Sequence, residues 1–349
     1  MSKLLRWAPV LLLMSLFIAG CTGAKSGQNQ EQERHNWQTE NLKGAVKSYT
    51  QSVYKATDMF GKIEKGDRDH IAFSGILRFF ENITATYNAK GDLIDRSQYD
   101  ETGSLTGKVK FVYDDTGKQI EKSWYDADDT IEGKKKFLYD EKGNLIEIDF
   151  YESDASLKWK IMSAYDEKGN EIESSKYKSD GSLDWKTVSA YDDNGNKIES
   201  THYASDGSLG WKMMSSYDEK GNEIESFKYK SDGSLDWKIT STYDKKGNKI
   251  ERNWDKADDP LVRKIKYVYD KNGKLIESRI SDKDGTNKIW KSAYDDKGNL
   301  IEWSGYDLEG NSEEGKCTYQ YDKKGNWTQM VIFINGRPVN IVERDYTYY

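Results

Sequence analysis

The chain has few of the residues that form disulfides, proline-fixed turns or metal sites. It contains two cysteines, three prolines and three histidines among 349 residues. Two cysteines provide no disulfide framework, and His35, His70 and His202 have no nearby cysteine or second histidine at metal-ligand spacing. No Ser-His-Asp set can be argued either. We therefore expect no metal, no cofactor and no enzymatic activity.

A basic excess is also missing. The 53 lysines and arginines are outnumbered by 60 aspartates and glutamates, and removing residues 1–20, with Lys3 and Arg6, leaves 51 − 60 = −9. Nucleic-acid-binding domains usually carry a basic patch or stripe, so we expect no nucleic-acid partner. Aromatic residues are abundant instead, with 24 tyrosines, 11 tryptophans and 10 phenylalanines. Such residues favour strands.

The longest apolar run lies at the start of the chain. A short basic region precedes an apolar stretch over 7–18, and two small residues then lead to Cys21. This is the layout of a secretory signal, and the stretch is shorter than the ~20 residues that span a bilayer. Residues 18–21 resemble the lipobox of bacterial lipoproteins. The alternative is an ordinary signal peptide with a chance cysteine.

The lipobox resemblance implies a signal peptide over 1–20 and a lipidated Cys21, modified with diacylglycerol, that begins the mature chain. In that family an Asp after the cysteine often marks inner-membrane retention, so Thr22 favours the outer membrane. Residues 21–37 are polar and Gln-rich and are predicted to form a flexible tether. Cys317 then has no intramolecular partner, and we expect it to be a packed thiol rather than a reactive one.

Internal repeats dominate the remaining sequence. A unit of the form Tyr-Asp-x-x-Gly-Asn recurs at intervals of 25 to 27 residues, beginning at Tyr113, Tyr139, Tyr165, Tyr191, Tyr217, Tyr243, Tyr269, Tyr294 and Tyr321, and a variant begins one step earlier at Tyr87. An Asp with a Gly three residues later favours a type I turn, and the second turn of each unit contains pairs such as Asp180-Gly181, a hairpin signal. Segments of about nine residues between turns alternate without a helical period. Each unit is therefore predicted to form two antiparallel strands.

These units predict an all-β fold, an antiparallel β-meander of about twenty strands built from 26-residue two-strand repeats. Because neighbouring strands twist by ~20–25°, we expect the sheet to coil into a spiral, shell or open barrel. The repeats over 87–330 lie between an N-terminal β cap over 38–86, with a charged loop over 61–70, and a C-terminal β cap over 331–349.

The sequence leaves open which face of the sheet is inside. Tyrosine and isoleucine are nearly fixed within the units, as at Tyr165 and Ile172. A three-residue turn would place them on opposite faces, and a four-residue turn on the same face. A shift of register by one residue moves every side chain to the other face.

The repeat, as at Tyr139, Asp140, Gly143 and Leu145, resembles the YD repeat of the RHS and teneurin-like families over about seventy per cent of the chain. The resemblance implies a hollow β-shell. Those families usually read Gly-Arg-Leu where this chain has Gly-Asn-x-Ile. Large RHS proteins also enclose a C-terminal toxin behind a self-cleaving motif, whereas this sequence ends soon after its last repeats. The resemblance therefore supports the fold and not a toxin-delivery role.

The candidate ligand-binding residues are four tryptophans that recur every 26 residues: Trp159, Trp185, Trp211 and Trp237. Equivalent strands two apart lie ~9.6 Å from each other, a spacing comparable with an extended disaccharide. Such rings can stack on sugars or anchor a protein partner. The alternative is that each ring packs on its neighbours and holds the sheet, covered by the stems of Lys160, Lys186, Lys212 and Lys238.

Together these features predict a lipoprotein of the cell envelope that binds a glycan or a protein through repeated strand faces and contacts the membrane through its lipid. One alternative is a structural or spacer protein without a discrete ligand. A second is an accessory component of an export or toxin system. The Asp-rich turns mix acidic residues with lysine, so we expect solvated hairpin turns rather than calcium loops.

Overall fold

The computed structural model describes residues 35–69, 71–74, 77–257, 259–281, 285, 287–306 and 312–349. The expected signal peptide over 1–20, Cys21 and most of the expected tether lie outside the described residues, as does His70. Those described contain strands and turns but no helix, and hence none that is long and apolar enough to cross a membrane.

The described residues form twenty-four strands, so the predicted all-β antiparallel meander is confirmed. Their bounds are β1 (Val46–Met59), β2 (Lys62–Asp69), β3 (Ile71–Ser74), β4 (Leu77–Tyr87), β5 (Leu93–Tyr99), β6 (Leu105–Tyr113), β7 (Gln119–Asp126), β8 (Ile131–Tyr139), β9 (Leu145–Glu152), β10 (Leu157–Tyr165), β11 (Glu171–Lys178), β12 (Leu183–Tyr191), β13 (Lys197–Ala204), β14 (Leu209–Tyr217), β15 (Glu223–Lys230), β16 (Leu235–Tyr243), β17 (Lys249–Lys256), β18 (Asp259–Tyr269), β19 (Leu275–Ser281), β20 (Asn287–Tyr294), β21 (Leu300–Tyr306), β22 (Ser312–Tyr321), β23 (Trp327–Ile334) and β24 (Arg337–Tyr348).

The Tyr-Asp turns are three-residue hairpin loops held by one aspartate each. At Asp244 the backbone N–H donates to the carbonyl of Asn248 at 2.9 Å, and Gly247 N–H donates back to the Asp244 carbonyl at 3.1 Å. The Asp244 carboxylate accepts the backbone N–H groups of Lys246 and Asn248 at 2.8 and 2.9 Å. Gly247 has φ +85°, a conformation that side chains with a Cβ disfavour. The turn itself therefore favours Asp and Gly at these positions.

A β-bulge follows each of these turns. Tyr165 pairs with Glu171, but the next pair is Ala164 with Glu173, so Ile172 is the extra residue. Ile172 is 37% exposed, whereas Ser163, on the same face as Tyr165, donates its hydroxyl to Glu171 at 2.6 Å. The three-residue turn thus places tyrosine and isoleucine on opposite faces, which resolves the choice that the sequence leaves open.

The repeat tyrosines tie neighbouring hairpins together. The Tyr243 hydroxyl donates to the Glu223 carbonyl, twenty residues earlier, at 2.8 Å. The same bond, at 2.8–2.9 Å, joins Tyr113 to Leu93, Tyr139 to Gln119, Tyr165 to Leu145, Tyr217 to Lys197 and Tyr269 to Lys249. Each bond lies beside a bulge, where the regular ladder is interrupted. The tyrosine side chain therefore satisfies a carbonyl at the interruption.

The described chain divides into two compact units. The smaller unit comprises Ser189–Thr201 and Trp211–Asn287, and the larger unit comprises the other described residues. In the larger unit, consecutive strands pair antiparallel from β4 to β12 and from β20 to β24. In the smaller unit, the same holds from β14 to β19.

Strand β1 pairs with strands from both ends of the chain. Val53 faces Val342 of β24, and Tyr49 faces Ala85 of β4. The segment before β1 adds further contacts: the Asn326 side chain accepts the backbone N–H of Lys43 at 2.7 Å and donates to the Lys43 carbonyl at 2.8 Å. The N- and C-terminal parts of the larger unit therefore protect each other's edges.

One sequence-based expectation about the N-terminal region is wrong. The charged segment over 61–70, expected as a loop, forms strand β2 along Lys62–Asp69 and pairs with β1. A strand at an exposed edge tolerates charged side chains because the backbone ladder alone holds it. The charge pattern therefore carries little information about its secondary structure.

The packed core is concentrated in the larger unit. One cluster surrounds Tyr87 and Val46, both 0% exposed, a second surrounds Cys317 and Met330, and a third consists of Phe137, Leu145 and Ile148. Among the residues of the smaller unit whose burial is described, Ile265 is the one buried hydrophobic side chain. Stability there must come largely from strand ladders and tyrosine bonds.

We predict that Tyr243→Phe destabilises the protein by about 1 kcal/mol, because a carbonyl loses its hydrogen bond while the ring stays in place. Urea unfolding followed by circular dichroism measures the change. Tyr229→Phe in the adjacent strand is the matched control, and we expect it to be neutral within about 0.5 kcal/mol. Equal effects of the two substitutions would contradict a specific role for the tyrosine–carbonyl bond.

Candidate functional site

The repeat strands have two chemically different faces. In β10, Trp159, Ile161, Ser163 and Tyr165 are half-buried, whereas Met162 between them is 47% exposed. Ile161 faces the buried Ile148 across the β9–β10 pair. We call the side bearing these four residues and their equivalents the core face, and the opposite side the solvent face. All four candidate tryptophans are half-buried and lie on the core face.

Trp159 is enclosed by neighbours on the core face. Its ring stacks on Phe150 with centroids 5.3 Å apart and an interplanar angle of 20°. The ammonium groups of Lys135 and Lys176 lie 5.1 and 5.6 Å from its centroid. Trp159 also packs against the cluster formed by Phe137, Leu145 and Ile148. For this ring, the interpretation as a packing residue has direct support.

Trp185 is less enclosed than Trp159. Its ring lies 5.8 Å from the His202 ring at a tilt of 39°. His202 Nδ1 is 3.2 Å from the Thr187 hydroxyl, so the histidine is positioned within the core face. Asp184, beside Trp185, forms an ion pair with Lys176 at 3.0 Å. The tryptophan is thus bordered by polar and basic groups rather than by a packed cluster.

Trp211 and Trp237 lie in the smaller unit, two strands apart. Lys228 lies between them: it faces Met213 on one side and Trp237 on the other. Its ammonium group is 5.7 Å from the Trp211 centroid. Neither tryptophan belongs to a buried hydrophobic cluster of the described residues.

Trp254 is a further core-face aromatic that the 26-residue series misses. It faces Ile239 of β16 and Arg263 of β18, and the Arg263 guanidinium lies 5.5 Å from its ring centroid. Trp254 occupies the position held by Lys228 one repeat earlier. The 26-residue series does not include Trp254, although strand alternation in β17 places it on the same face as the other tryptophans.

The expectation that Lys160, Lys186, Lys212 and Lys238 cover the tryptophans is wrong. Each follows its tryptophan directly, and strand alternation therefore turns it to the solvent face. Their ammonium groups pair there with glutamates of the preceding strand at 2.5–2.9 Å, in the pairs Lys160–Glu147, Lys186–Glu173, Lys212–Glu199 and Lys238–Glu225. Lysines from neighbouring strands, such as Lys176 and Lys228, approach the rings instead.

The described residues contain no group of three or more His, Cys, Asp and Glu side chains that could hold a metal ion. A cavity of about 430 Å³ lies along β22–β24, with Asp322, Glu343 and Arg344 in its lining. The Arg344 guanidinium lies 4.0 Å from the Trp327 ring centroid, and its Nε donates to Gln51 at 2.9 Å. Arg344 is therefore engaged in contacts within the protein.

Cys317 lies in a hydrophobic cluster with Trp303 and Met330 and is 2% exposed. Burial raises the pKa of its thiol to about 12. A thiol in this environment is neutral at physiological pH and a poor nucleophile.

No family model matches the chain, and no match was found among curated proteins. A solved structure of TcdB2-TccC3-Cdc42 is 14% identical, with a TM-score of 0.31, over 74% of this chain and 19% of that chain. The chain thus spans about a fifth of that structure. A porin-like protein from Bacteroides uniformis ATCC 8492 is 10% identical, with a TM-score of 0.29, over 86% of this chain and 96% of the other. TM-scores this low support no conclusion about family or function.

We predict that Cys317 is inert in the native protein because its thiol is buried and neutral. In a Cys21→Ser variant at pH 8, a thiol-reactive chromogenic disulfide should label less than a tenth of the protein over minutes, and all of it in 8 M urea. Rapid labelling of the native variant would contradict the packed-thiol interpretation.

Proposed function

We propose that the protein is an envelope-anchored repeat protein that binds a glycan or a protein through aromatic side chains of the core face. One observation carries the proposal: Trp211 and Trp237 are half-buried on a face where Ile265 is the one buried hydrophobic residue among those of the smaller unit whose burial is described. Partly exposed aromatic side chains that lie outside the buried clusters are typical of binding surfaces.

A glycan is the ligand that the spacing favours. Two paired-strand steps separate Trp211 from Trp237, which corresponds to ~9.6 Å between their strands. Flat rings at this interval suit a linear chain of sugar rings, since the apolar faces of sugars stack on aromatic side chains. A repeated platform also gains affinity by multivalency.

We propose binding rather than catalysis because the repeat copies each environment several times. An aspartate such as Asp244 recurs in each turn with the same partners, and hydrogen bonds from the side chain and backbone of Asn248 hold its pKa below the usual range. A catalytic carboxylate needs a distinct environment that shifts its pKa towards the working pH.

A structural role is the second candidate. The series of tyrosine–carbonyl bonds and the Lys–Glu pairs of the solvent face recur from repeat to repeat and hold the strands in register. Trp159 serves packing in the same way. A spacer of the cell envelope would need these features and no tryptophans outside the buried clusters.

The location is also a proposal. The lipobox-like residues before Cys21 support export and lipidation, and Thr22 supports the outer membrane. Each buried methylene of an acyl chain contributes ~0.8 kcal/mol to membrane binding. Thirteen residues separate Cys21 from the first described residue, His35, so the sheet would stay within ~50 Å of its anchor.

We predict that Trp211→Ala combined with Trp237→Ala abolishes binding to those glycans that the full-length protein recognises on a glycan array. Each ring supplies a stacking surface worth at least tenfold in affinity. Phe227→Ala is the matched control, because Phe227 lies in the strand between them but faces Met214 on the solvent face. Unchanged array binding by the double variant, or no binding by the parent protein, would contradict the glycan proposal.

We predict that Cys21→Ser abolishes incorporation of labelled palmitate and moves the protein from the membrane fraction to the soluble fraction. The substitution removes the thiol that would carry the lipid. Cys317→Ser should leave both measurements unchanged. Palmitate labelling that survives in Cys21→Ser would show that the lipobox interpretation is mistaken.

A further inference from the structure

The core face of the smaller unit alternates aromatic and basic side chains. Register places Lys228 opposite Trp237, Arg252 opposite Ser241, and Arg263 opposite Trp254. All of them share the face of Trp211 and Trp237. We call this set the aromatic–basic row; its members are Trp211, Lys228, Trp237, Arg252, Trp254 and Arg263.

The positive charge of this row contrasts with the net charge of −7 for the whole chain. The acidic residues of the same strands largely face the other way, where Glu225 pairs with Lys238 at 2.5 Å and Glu251 with Lys264 at 2.7 Å. Two described carboxylates remain near the row: Asp236 is 3.7 Å from Lys228, and Glu223 accepts a bond from Ser215 at 2.7 Å near the turn.

We propose that the aromatic–basic row binds an anionic linear glycan, with the tryptophans stacking on sugar rings and the basic groups between them pairing with carboxylate or sulfate substituents. This inference rests on the proposed glycan-binding function and specifies its ligand class. The two-strand spacing of Trp211 and Trp237 sets the sugar repeat, and the charges set the preference for acidic over neutral chains.

The arginines suit this task better than the lysines of the solvent face. A guanidinium offers two parallel N–H groups to one carboxylate or sulfate. Arg263 is held over the Trp254 ring at 5.5 Å, so less conformational freedom is lost when it binds an anion. Arg252 lies beside Ile265 in the paired strand, next to the buried part of the unit, where water screens its charge less than at an exposed site.

Single-stranded nucleic acid is the other polyanion that aromatic and basic residues bind. The spacing of Trp211 and Trp237 disfavours it, because they lie two strands apart on β14 and β16 and do not form a stacking platform for each successive base.

The experiment measures binding of the full-length protein to polygalacturonate and to its fully methyl-esterified form, which has the same backbone without the charges. Dextran sulfate and dextran form a second matched pair and distinguish sulfate from carboxylate recognition. We expect binding to at least one anionic member, at least tenfold tighter than to its neutral partner, and weakening as salt is raised from 50 to 500 mM.

Three double variants test charge recognition while the tryptophans stay in place. Arg252→Gln with Arg263→Gln should weaken binding to the anionic glycan by about tenfold per arginine and leave the neutral chain unaffected. Lys238→Gln with Lys264→Gln removes the same charge from the solvent face and should change affinity less than twofold. Circular dichroism and the urea midpoint confirm that each variant folds, and Arg252→Lys with Arg263→Lys should restore only part of the affinity, because lysine keeps the charge but not the paired N–H groups.

Equal binding of charged and neutral chains, with the tryptophans still required, would overturn this inference and leave the glycan-binding function intact. No binding to any of the four polysaccharides would also overturn it. Tighter binding to an oligo-dT strand than to either anionic glycan would show that the row recognises nucleic acid instead.

Discussion

The Asp-x-x-Gly-Asn turn is the constraint on which the rest of the structure depends. Its loop is the three residues between Asp and Asn, and a bulge follows it. The aspartate carboxylate holds two backbone N–H groups, and the glycine adopts the left-handed conformation that closes the turn. Since a register shift of one residue exchanges the two faces of a strand, this turn decides where every tyrosine and tryptophan lies. The repeat tyrosine then bonds to the carbonyl beside the bulge, so that each hairpin holds its neighbour.

Much of the fold was predictable from sequence because its signals are local and repeated. The Tyr-Asp spacing and the turn residues predicted the strands, and the observed strand Leu157–Tyr165 ends at the repeat tyrosine. Other features depend on long-range pairing. No local pattern shows that β1 pairs with β24, nor that the charged segment Lys62–Asp69 is a strand held by its backbone.

The candidate site was predictable in part. Periodicity identified four tryptophans. It did not show which face of the sheet they occupy, because that depends on the single extra residue of the bulge. The same bulge explains why the lysine after each tryptophan pairs with glutamate, while Lys228 from the next strand approaches Trp211. Trp254 was missed because it replaces a lysine rather than extending the tryptophan series. Pairing across strands, rather than spacing along the chain, assembles the aromatic–basic row.

The two faces of the sheet have different roles. Lys–Glu pairs and tyrosine bonds hold the strands together in the smaller unit, where Trp211 and Trp237 lie outside the buried hydrophobic clusters of the described residues. The larger unit uses the same positions differently: Trp159 joins a packed cluster there. One repeat sequence thus supports both a packed and an open core face.

The central claim is that the turn determines which residues of each strand lie on the core face. It can be tested on Met213 and Met214. Met213 faces Lys228 on the core face, whereas Met214 is 42% exposed on the solvent face. Limited peroxide oxidation with peptide mapping should convert Met214 to its sulfoxide several times faster than Met213 in the native protein, and both equally in urea. Faster oxidation of Met213 in the native protein would contradict the register and, with it, the position of the tryptophans.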